Sequence, residues 1–362
     1  MRFALIGCGR IARNHMIAAH NNSLELVALC DLQSDKMKSL LEASPLAGVT
    51  PGFYKDYKEM LREAKPELVA IATDSGVHAE IALDCIRAGC HVIIEKSIAM
   101  SVADAKAIVE EAEKYGVKVA ACHQNRFNEA CQQMHNAREQ GRFGKLSHGS
   151  IHVRWNRNQN YYDQASWRGK WASDGGALMN QCIHGIDLLL WMMGSDPVSV
   201  YGVTRQQYHP YLEAEDIGMA VVTFANGAVA TIEGTVNVYP QNLEETLYLF
   251  GEKGTVKLGG KATNNIDVWQ FADQTEADNS LQGKQEVIGN VYGNGHSRLY
   301  ADMLDAISND RAPLVSAQEG MKALQMVLAI YKSQKTGSVV QLPLEDFAST
   351  DMTGYFDAEK KY

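Results

Sequence analysis

The sequence predicts two α/β units: a doubly wound parallel sheet, then an α+β domain on a large, mostly antiparallel open sheet. Three observations carry this. Apolar strand runs alternate with helical patterns from Met1 to about Ala121. A glycine turn joins the first strand to the first helix. Beyond residue 122 the alternation stops, and strand-like runs follow one another across short turns. A chain of 362 residues also exceeds what one core usually serves. The expected division is 1–121 and 122–362.

Phe3 to Ile6 is a short apolar run suited to a buried parallel strand. Gly7, Gly9 and Ala12 then form G-x-G-x-x-A. The first Gly makes the tight turn, the second admits a pyrophosphate close to the backbone, and the small third residue lets helix and strand pack. The helix that follows offers free N–H groups and a positive dipole end, which brings Arg10 and Ile11 into the candidate set. A second strand, Leu24 to Cys30, ends in Asp31, the acid expected to bind an adenosine ribose. The cofactor expected is NAD rather than NADP, because a 2′-phosphate would be repelled by Asp31 and neither Leu32 nor Gln33 offsets that charge.

Helices are expected over Ser34–Ala43, Tyr57–Ala64, Val77–Ala88 and Ser101–Tyr115, the last stopped by Gly116. The intervening strands are Leu68–Ala72, His91–Ile94 and Val117–Ala121. Ligands of such sheets sit at the carboxyl ends of strands. Those ends deliver Thr73, Ser75 and His78, then Glu95, Lys96 and Ser97, then Asn125. Singly these read as a helix cap, a solvated charge or a turn residue; together they mark one edge of one sheet.

The second unit should hold a helix at Asn128–Glu139, a strand at Leu146–Trp155, a polar aromatic loop at Asn156–Lys170 and a helix at Gly176–Met193. Strands follow at Val198–Thr204, Ile217–Phe224, Ala228–Val236, Thr246–Phe250 and Thr255–Leu258, with Asn226-Gly227 as a hairpin turn. Ala272–Gly289 reads as a surface loop, Ser297–Ile307 and Ala317–Tyr331 as helices, and Ser338–Leu342 as a closing strand. Helices to one side would leave one sheet face needing cover, so a homodimer or homotetramer is expected.

Within the Gly176 helix, Asn180 and His184 are four apart and His184 and Asp187 three apart. A histidine there is either a satisfied core residue or a base. The loop before it gathers Arg154, Arg157, Arg168 and Lys170 with Trp155, Tyr161, Tyr162, Trp167 and Trp171. It is either an anchored surface loop or a cleft wall in which Arg grips phosphate or carboxylate. No zinc is expected at His184, which lacks a second His or Cys at helical spacing, and no metal elsewhere. The seven cysteines are odd in number, form no C-x-x-C pair, and read as reduced core thiols. With 43 acids against 34 bases, no block of like charge and no long apolar run, neither a nucleic-acid nor a membrane partner is expected. The glycine turn so near Met1 leaves no room for a signal peptide, and the cytoplasm is the expected location.

Four motifs in this order resemble the glucose-fructose oxidoreductase, inositol dehydrogenase and rhizopine-catabolism (Gfo/Idh/MocA) family: Gly7–Ala12, Thr73–His78, Glu95–Ser97 and Asp174–His184. The resemblance implies a Rossmann domain and an NAD(P)-dependent oxidoreductase of a sugar or polyol alcohol. It places Lys96 and His184 at the reacting alcohol with Asn180 beside them. It places Thr73, His78, Glu95 and Asn125 beside the cofactor. From the loop itself, Trp167 and Arg168 are candidates at the cofactor and Arg154, Arg157 and Tyr162 at the substrate, with at least one of Arg154, Arg157 and Arg168 expected to contact a substrate anion. Ser97 departs from the family's usual Glu-Lys-Pro, which would loosen that loop, and Asn180 stands where Asp is common. His123–Asn128, Tyr161–Asp163 and Trp167–Trp171 look like the UDP-N-acetyl-2-amino-2-deoxyglucuronate 3-dehydrogenases of surface-polysaccharide biosynthesis. The expected reaction is oxidation at carbon 3 of a nucleotide-linked amino sugar or its uronate. The alternatives are a free-sugar or inositol dehydrogenase, an NAD-dependent glycoside hydrolase, and a non-catalytic nucleotide sensor.

Overall fold

A computed structural model describes residues 1–286 and 295–357. The chain forms two compact units, one of Met1–His123 with Gly295–Met321, the other of Gln124–Asn294 with Lys322–Tyr362. The linear reading divided the chain once; the first unit also takes in a returning segment near the C-terminal end.

The first unit holds a six-stranded sheet: β1 (Arg2–Ile6), β2 (Glu25–Cys30), β3 (Gly52–Tyr54), β4 (Leu68–Ile71), β5 (His91–Ile94) and β6 (Val119–Ala121). The order is β3-β2-β1-β4-β5-β6 and every pairing is parallel. This is the Rossmann order, with its switch point between β1 and β4. Helices α1 (Ala12–Asn21), α2 (Ser34–Glu42), α3 (Tyr57–Ala64), α4 (His78–Arg87) and α5 (Val102–Tyr115) make the crossovers. Strands β1 and β4 are buried almost throughout, as a sheet covered on both faces requires. Ser101 caps α5 by accepting from the Asp104 N–H, and Gly116 ends it at φ 66°. β3 was missed by the sequence reading, since three half-exposed residues carry no apolar run.

The second unit begins with a single 3-10 turn, Gln124–Phe127, then α6 (Glu129–Glu139). Its eight-stranded sheet comprises β7 (Leu146–Arg154), β8 (Pro197–Arg205), β9 (Ile217–Phe224), β10 (Val229–Thr235), β11 (Glu244–Gly251), β12 (Gly254–Gly259), β13 (Asn265–Phe271) and β14 (Val340–Gln341). The order is β13-β12-β11-β7-β10-β9-β8-β14, antiparallel except between β7 and β10. The turn at Asn226-Gly227 joins β9 to β10 with Gly227 at φ 83°. The sequence reading missed β13, whose polar-apolar alternation changes phase at Val268-Trp269, beside a register shift in its pairing with β12.

The remaining helices are α7 (Gln159–Tyr162) in the aromatic loop, α8 (Ile183–Met193), α9 (Glu276–Asn279) inside the expected 272–289 loop, α10 (Gly295–Ser308) and α11 (Ala317–Thr336). Residues 287–289 of that expected loop lie outside the described residues.

One face of the second sheet is core. Ile151, Val153, Val222, Leu247 and Leu249 are 0–1% exposed, and Gly185 of α8 sits so close that a Cβ there would stand 2.9 Å from Ile151 and Val153. The opposite face carries exposed Tyr201, Val203, Met219, Val221 and Val229. Among the described residues no helix is long and apolar enough to cross a membrane.

Candidate active site

Gly7 stands at φ +92°, and a Cβ there would lie 2.5 Å from the Ala72 carbonyl carbon and oxygen. Only glycine fits this pass between β1 and β4. A Cβ at Gly9, by contrast, would meet no atom within 4 Å, the open approach that a pyrophosphate needs. Ala12 is fully buried, Ile11 before it supplies no side-chain cap to the start of α1, and Arg10 beside it is exposed. Asp31 is fixed by accepting from the Cys8 N–H at 2.9 Å and the Gln33 N–H at 2.8 Å. These observations fit a dinucleotide: the glycines leave room, the helix start attracts phosphate, and Asp31 is a pre-set acceptor.

Further along the same sheet edge, His78 lies between two loops. Its Nδ1 is 2.7 Å from the Ser97 carbonyl and its Nε2 3.3 Å from the Thr73 carbonyl. Burial holds the imidazole below its ordinary pKa. Ser75 Oγ donates to the Lys96 carbonyl at 3.4 Å. The Lys96-Ser97 segment is therefore tied on both sides, and the looseness expected from losing proline is not what the structure has. The Glu95 carboxylate accepts from the Lys96 N–H at 3.2 Å and faces His15 and His296 at 3.1 and 3.3 Å. Burial works against its charge, but those two imidazoles hold it ionised, well below the usual range.

In the second unit, the segment expected as one helix from Gly176 is a π turn, Leu178–Cys182, feeding α8. Such turns frequently mark functional sites. Its cause is Glu215. A Cβ at Gly176 would fall on the Glu215 carboxyl. The Glu215 carbonyl accepts from Ala177 N–H at 2.9 Å, and its Oε1 accepts from Leu178 N–H at 2.8 Å and Tyr331 O–H at 2.9 Å. Burial pushes the Glu215 carboxyl up to about 8. The extra residue in the turn breaks the regular four-residue spacing of Asn180 and His184. The Asn180 side-chain amide donates to Asp174, whose other oxygen accepts from the Gly169 N–H at 2.7 Å. A carboxylate thus touches Asn180 after all, from six residues upstream. His184 is 7% exposed on the first turn of α8. Asp187, expected as its neighbour, gives both oxygens to buried Arg126 at 2.7–2.8 Å.

The aromatic loop divides its arginines. Arg157 and Arg168 cover Tyr161 at 5.0 and 3.9 Å from the ring centroid, and Trp167 lies 5.3 Å from Arg168. The Nε of each guanidinium is buried without a partner among the described residues. The Tyr161 hydroxyl oxygen accepts from the Gln181 side-chain amide at 2.9 Å, which ties this wall to the π turn. Tyr162 is buried edge-on to Tyr161, with His209 and Tyr211 around it. Arg154 lies elsewhere. In register with Glu244 and Thr235, it is bound by Glu233 and Glu244 at 2.5–2.7 Å. It alternates with core-facing Val153 and so occupies the open sheet face. Asn125 is buried, its amide oxygen accepting from Gln124 at 3.2 Å. The sequence reading missed Asp174 and Glu215 as site supports. An adjacent acid pair, Glu215-Asp216, entering an apolar strand was the available signal.

Two family models match. Residues 1–123 match the oxidoreductase family's NAD-binding Rossmann fold, and residues 136–342 its C-terminal alpha/beta domain, GFO_IDH_MocA. The chain belongs to the Gfo/Idh/MocA family. It is an NAD-dependent oxidoreductase of a family whose members act on CH–OH groups of sugars and polyols. Among similar structures is the WlbA dehydrogenase from Bordetella pertussis in complex with NADH and UDP-GlcNAcA. That chain is 37% identical, with TM-score 0.86, 95% of this chain covered and 98% of that one. Among relatives by sequence are the D-glucoside 3-dehydrogenase of Escherichia coli and the Myo-inositol 2-dehydrogenase of Thermotoga maritima. Each is 26% identical over 94% of this chain, covering 97% and 98% of the relative. Members of this Gfo/Idh/MocA group differ in substrate far more than in fold, so substrate must be argued from the second unit's residues.

The fixed carboxylate of Asp31 leads to a testable expectation about the cofactor. NAD should bind far more tightly than NADP, and Asp31→Asn should narrow the ratio by about tenfold or more in fluorescence titrations. Equal affinity of the unaltered enzyme for the two would remove Asp31 from this role.

Proposed function

We propose that this enzyme oxidises carbon 3 of a UDP-linked N-acetylamino sugar uronate. The observation that carries the reading is the pair Arg157 and Arg168, stacked on Tyr161 with buried Nε groups and linked through Gln181 to the π turn. Arg157 Nη1 also donates to the Asn156 carbonyl and Asn242 Oδ1, and Arg168 Nη1 to the Tyr161 carbonyl. Both guanidinium planes are thus fixed without a carboxylate partner among the described residues, an arrangement that suits a diphosphate or uronate. Likeness to WlbA supports the same substrate class. Arg154, engaged by two glutamates, has a structural part in this reading. The test is a rate comparison of UDP-GlcNAcA with UDP-GlcNAc, free sugars and myo-inositol. The acidic nucleotide sugar should be used best. Arg157→Ala and Arg168→Ala should together weaken it by about 2 kcal/mol or more while affecting neutral analogues less. Preferred turnover of myo-inositol or a free glucoside would overturn the reading in favour of the chemistry of the 26%-identical relatives.

NAD, when bound, supplies the hydride acceptor. His184 takes the hydroxyl proton, since an imidazole titrates near the working pH. Lys96, at the carboxyl end of β5, donates to the same oxygen as negative charge develops on it. Asn180, its amide fixed by Asp174, orients the reacting group without adding charge. Lys96→Ala and His184→Ala should each cut turnover by roughly a hundredfold or more with NAD binding retained. Activity should rise with pH through an ionisation that disappears in His184→Asn and persists in Asn180→Ala. Near-normal turnover of His184→Asn, with that ionisation intact, would assign the base elsewhere.

The chain also self-associates in this reading, through the open face of the second sheet. Tyr201, Met219 and Val221 are 46–52% exposed there, on adjoining strands β8 and β9. A second copy offers the same apolar face, as a two-fold contact requires. Light scattering at micromolar concentration should give a dimer or tetramer, reduced to smaller species by Val221→Lys. A monomer would end this part of the proposal.

A further inference from the structure

Behind the Lys96 loop, the first unit buries four side chains with metal-ligating atoms. They are His15 on α1, Glu95 just past β5, Cys122 just past β6 and His296 on α10. They are 0%, 6%, 0% and 4% exposed. One ligand atom from each lies within 4.8 Å of all the others. The Nε2 atoms of His15 and His296 stand 3.1 and 3.3 Å from the same oxygen, Glu95 Oε1. These separations match a tetrahedron around zinc, where bonds to N and O of about 2.0–2.1 Å give edges of about 3.3 Å. The donor set of two imidazoles, a carboxylate and a thiol suits that borderline-soft ion.

Neighbouring groups orient the ligands. Tyr300 O–H lies 2.7 Å from His15 Nδ1, which directs the opposite nitrogen into the cluster. The Lys96 N–H occupies Glu95 Oε2, leaving Oε1 for the cluster. The Cys122 N–H donates to the Ile94 carbonyl at 2.8 Å, holding β6's end against β5's. Such outer contacts are what fix metal ligands in place.

Charge supplies a further reason. A divalent cation with one carboxylate and one thiolate sums to zero. We propose that His15, Glu95, Cys122 and His296 form a closed structural site for one zinc ion. On binding, the Cys122 thiol proton leaves to solvent, and His15 keeps its remaining proton on Nδ1, donating to Tyr300. With four protein ligands the site has no open position. Zinc here pins α1, α10 and two strand ends directly behind Lys96 and takes no part in the redox step. Spacing along the sequence gave no hint of it, because His15 and Glu95 are 80 residues apart and His296 is 201 residues beyond Glu95.

The test uses full-length protein without a histidine tag, purified without chelator from zinc-supplemented cells. Elemental analysis should find about one zinc per chain. Stripping it should lower the melting temperature, and adding zinc should restore it. Cobalt exchanged into the site should show a thiolate-to-metal charge-transfer band that Cys122→Ser abolishes. Cys122→Ser and His296→Asn should each weaken zinc binding by about 100-fold or more, since even loss of an outer contact costs 10–100-fold. Trace zinc only, with no rise in melting temperature on titration, would overturn the proposal and leave a hydrogen-bonded cluster. Full zinc retention by Cys122→Ser would overturn it equally, by locating the metal elsewhere.

Discussion

The second unit depends on one buried carboxyl. Glu215 sits where a side chain on Gly176 would otherwise be, and it accepts from the backbone of Leu178 and from Tyr331. Burial raises its pKa to about 8, so at neutral pH it is largely uncharged, which is how so enclosed an acid is tolerated. The contact needs two glycines ahead of the helix: Gly176 for close approach and Gly175 for φ +68°. It turns the chain into a π turn, and that turn decides where Asn180 points and where α8 starts. Glu245, under the same helix-bearing side of the sheet, is likewise buried and pushed up to about 8. Glu215 is held by hydrogen bonds, whereas neither carboxyl oxygen of Glu245 has a partner among the described residues.

The two faces of the large sheet have different physical roles, and a single strand shows both. Along β7, Ile151 and Val153 pack under α8, while His152 and Arg154 project to the other side and join Glu233 and Glu244. The period of two makes this division automatic. It explains why three arginines close in sequence separate in the fold. Arg154 is on the strand and belongs to the open face, whereas Arg157 and Arg168 are on the loop and wrap Tyr161. A partly buried arginine with two carboxylate partners is stabilised in place, and its cation is no longer available to a ligand without breaking those bonds.

In the first unit the organising constraint is steric. The passage of Gly7 against Ala72 brings β1 and β4 together at the switch point. The polar residues that follow each strand then collect along one edge, where His78 bridges the carbonyls of Thr73 and Ser97. Tethering Ser97 in this way does for the loop what a proline ring would otherwise do.

What the sequence by itself determined is whatever rests on neighbours along the chain. The glycine turn, the acid ending β2, the stop of α5 at Gly116, the hairpin at Asn226-Gly227 and the run of strand ends are local in origin, and all were legible. The short or irregular strands β3 and β13 were not, because apolar periodicity is weak over three residues and changes phase at Val268-Trp269. Tertiary structure alone decided which charges meet. Asp187 takes Arg126 across 61 residues, and Asn180 takes Asp174 rather than a partner one helical turn away. The clustering of His15, Glu95, Cys122 and His296 is decided at the same level. The reason is that a buried polar group must find its partner wherever packing brings one within about 3 Å, and packing is a property of the whole folded unit that no spacing rule encodes.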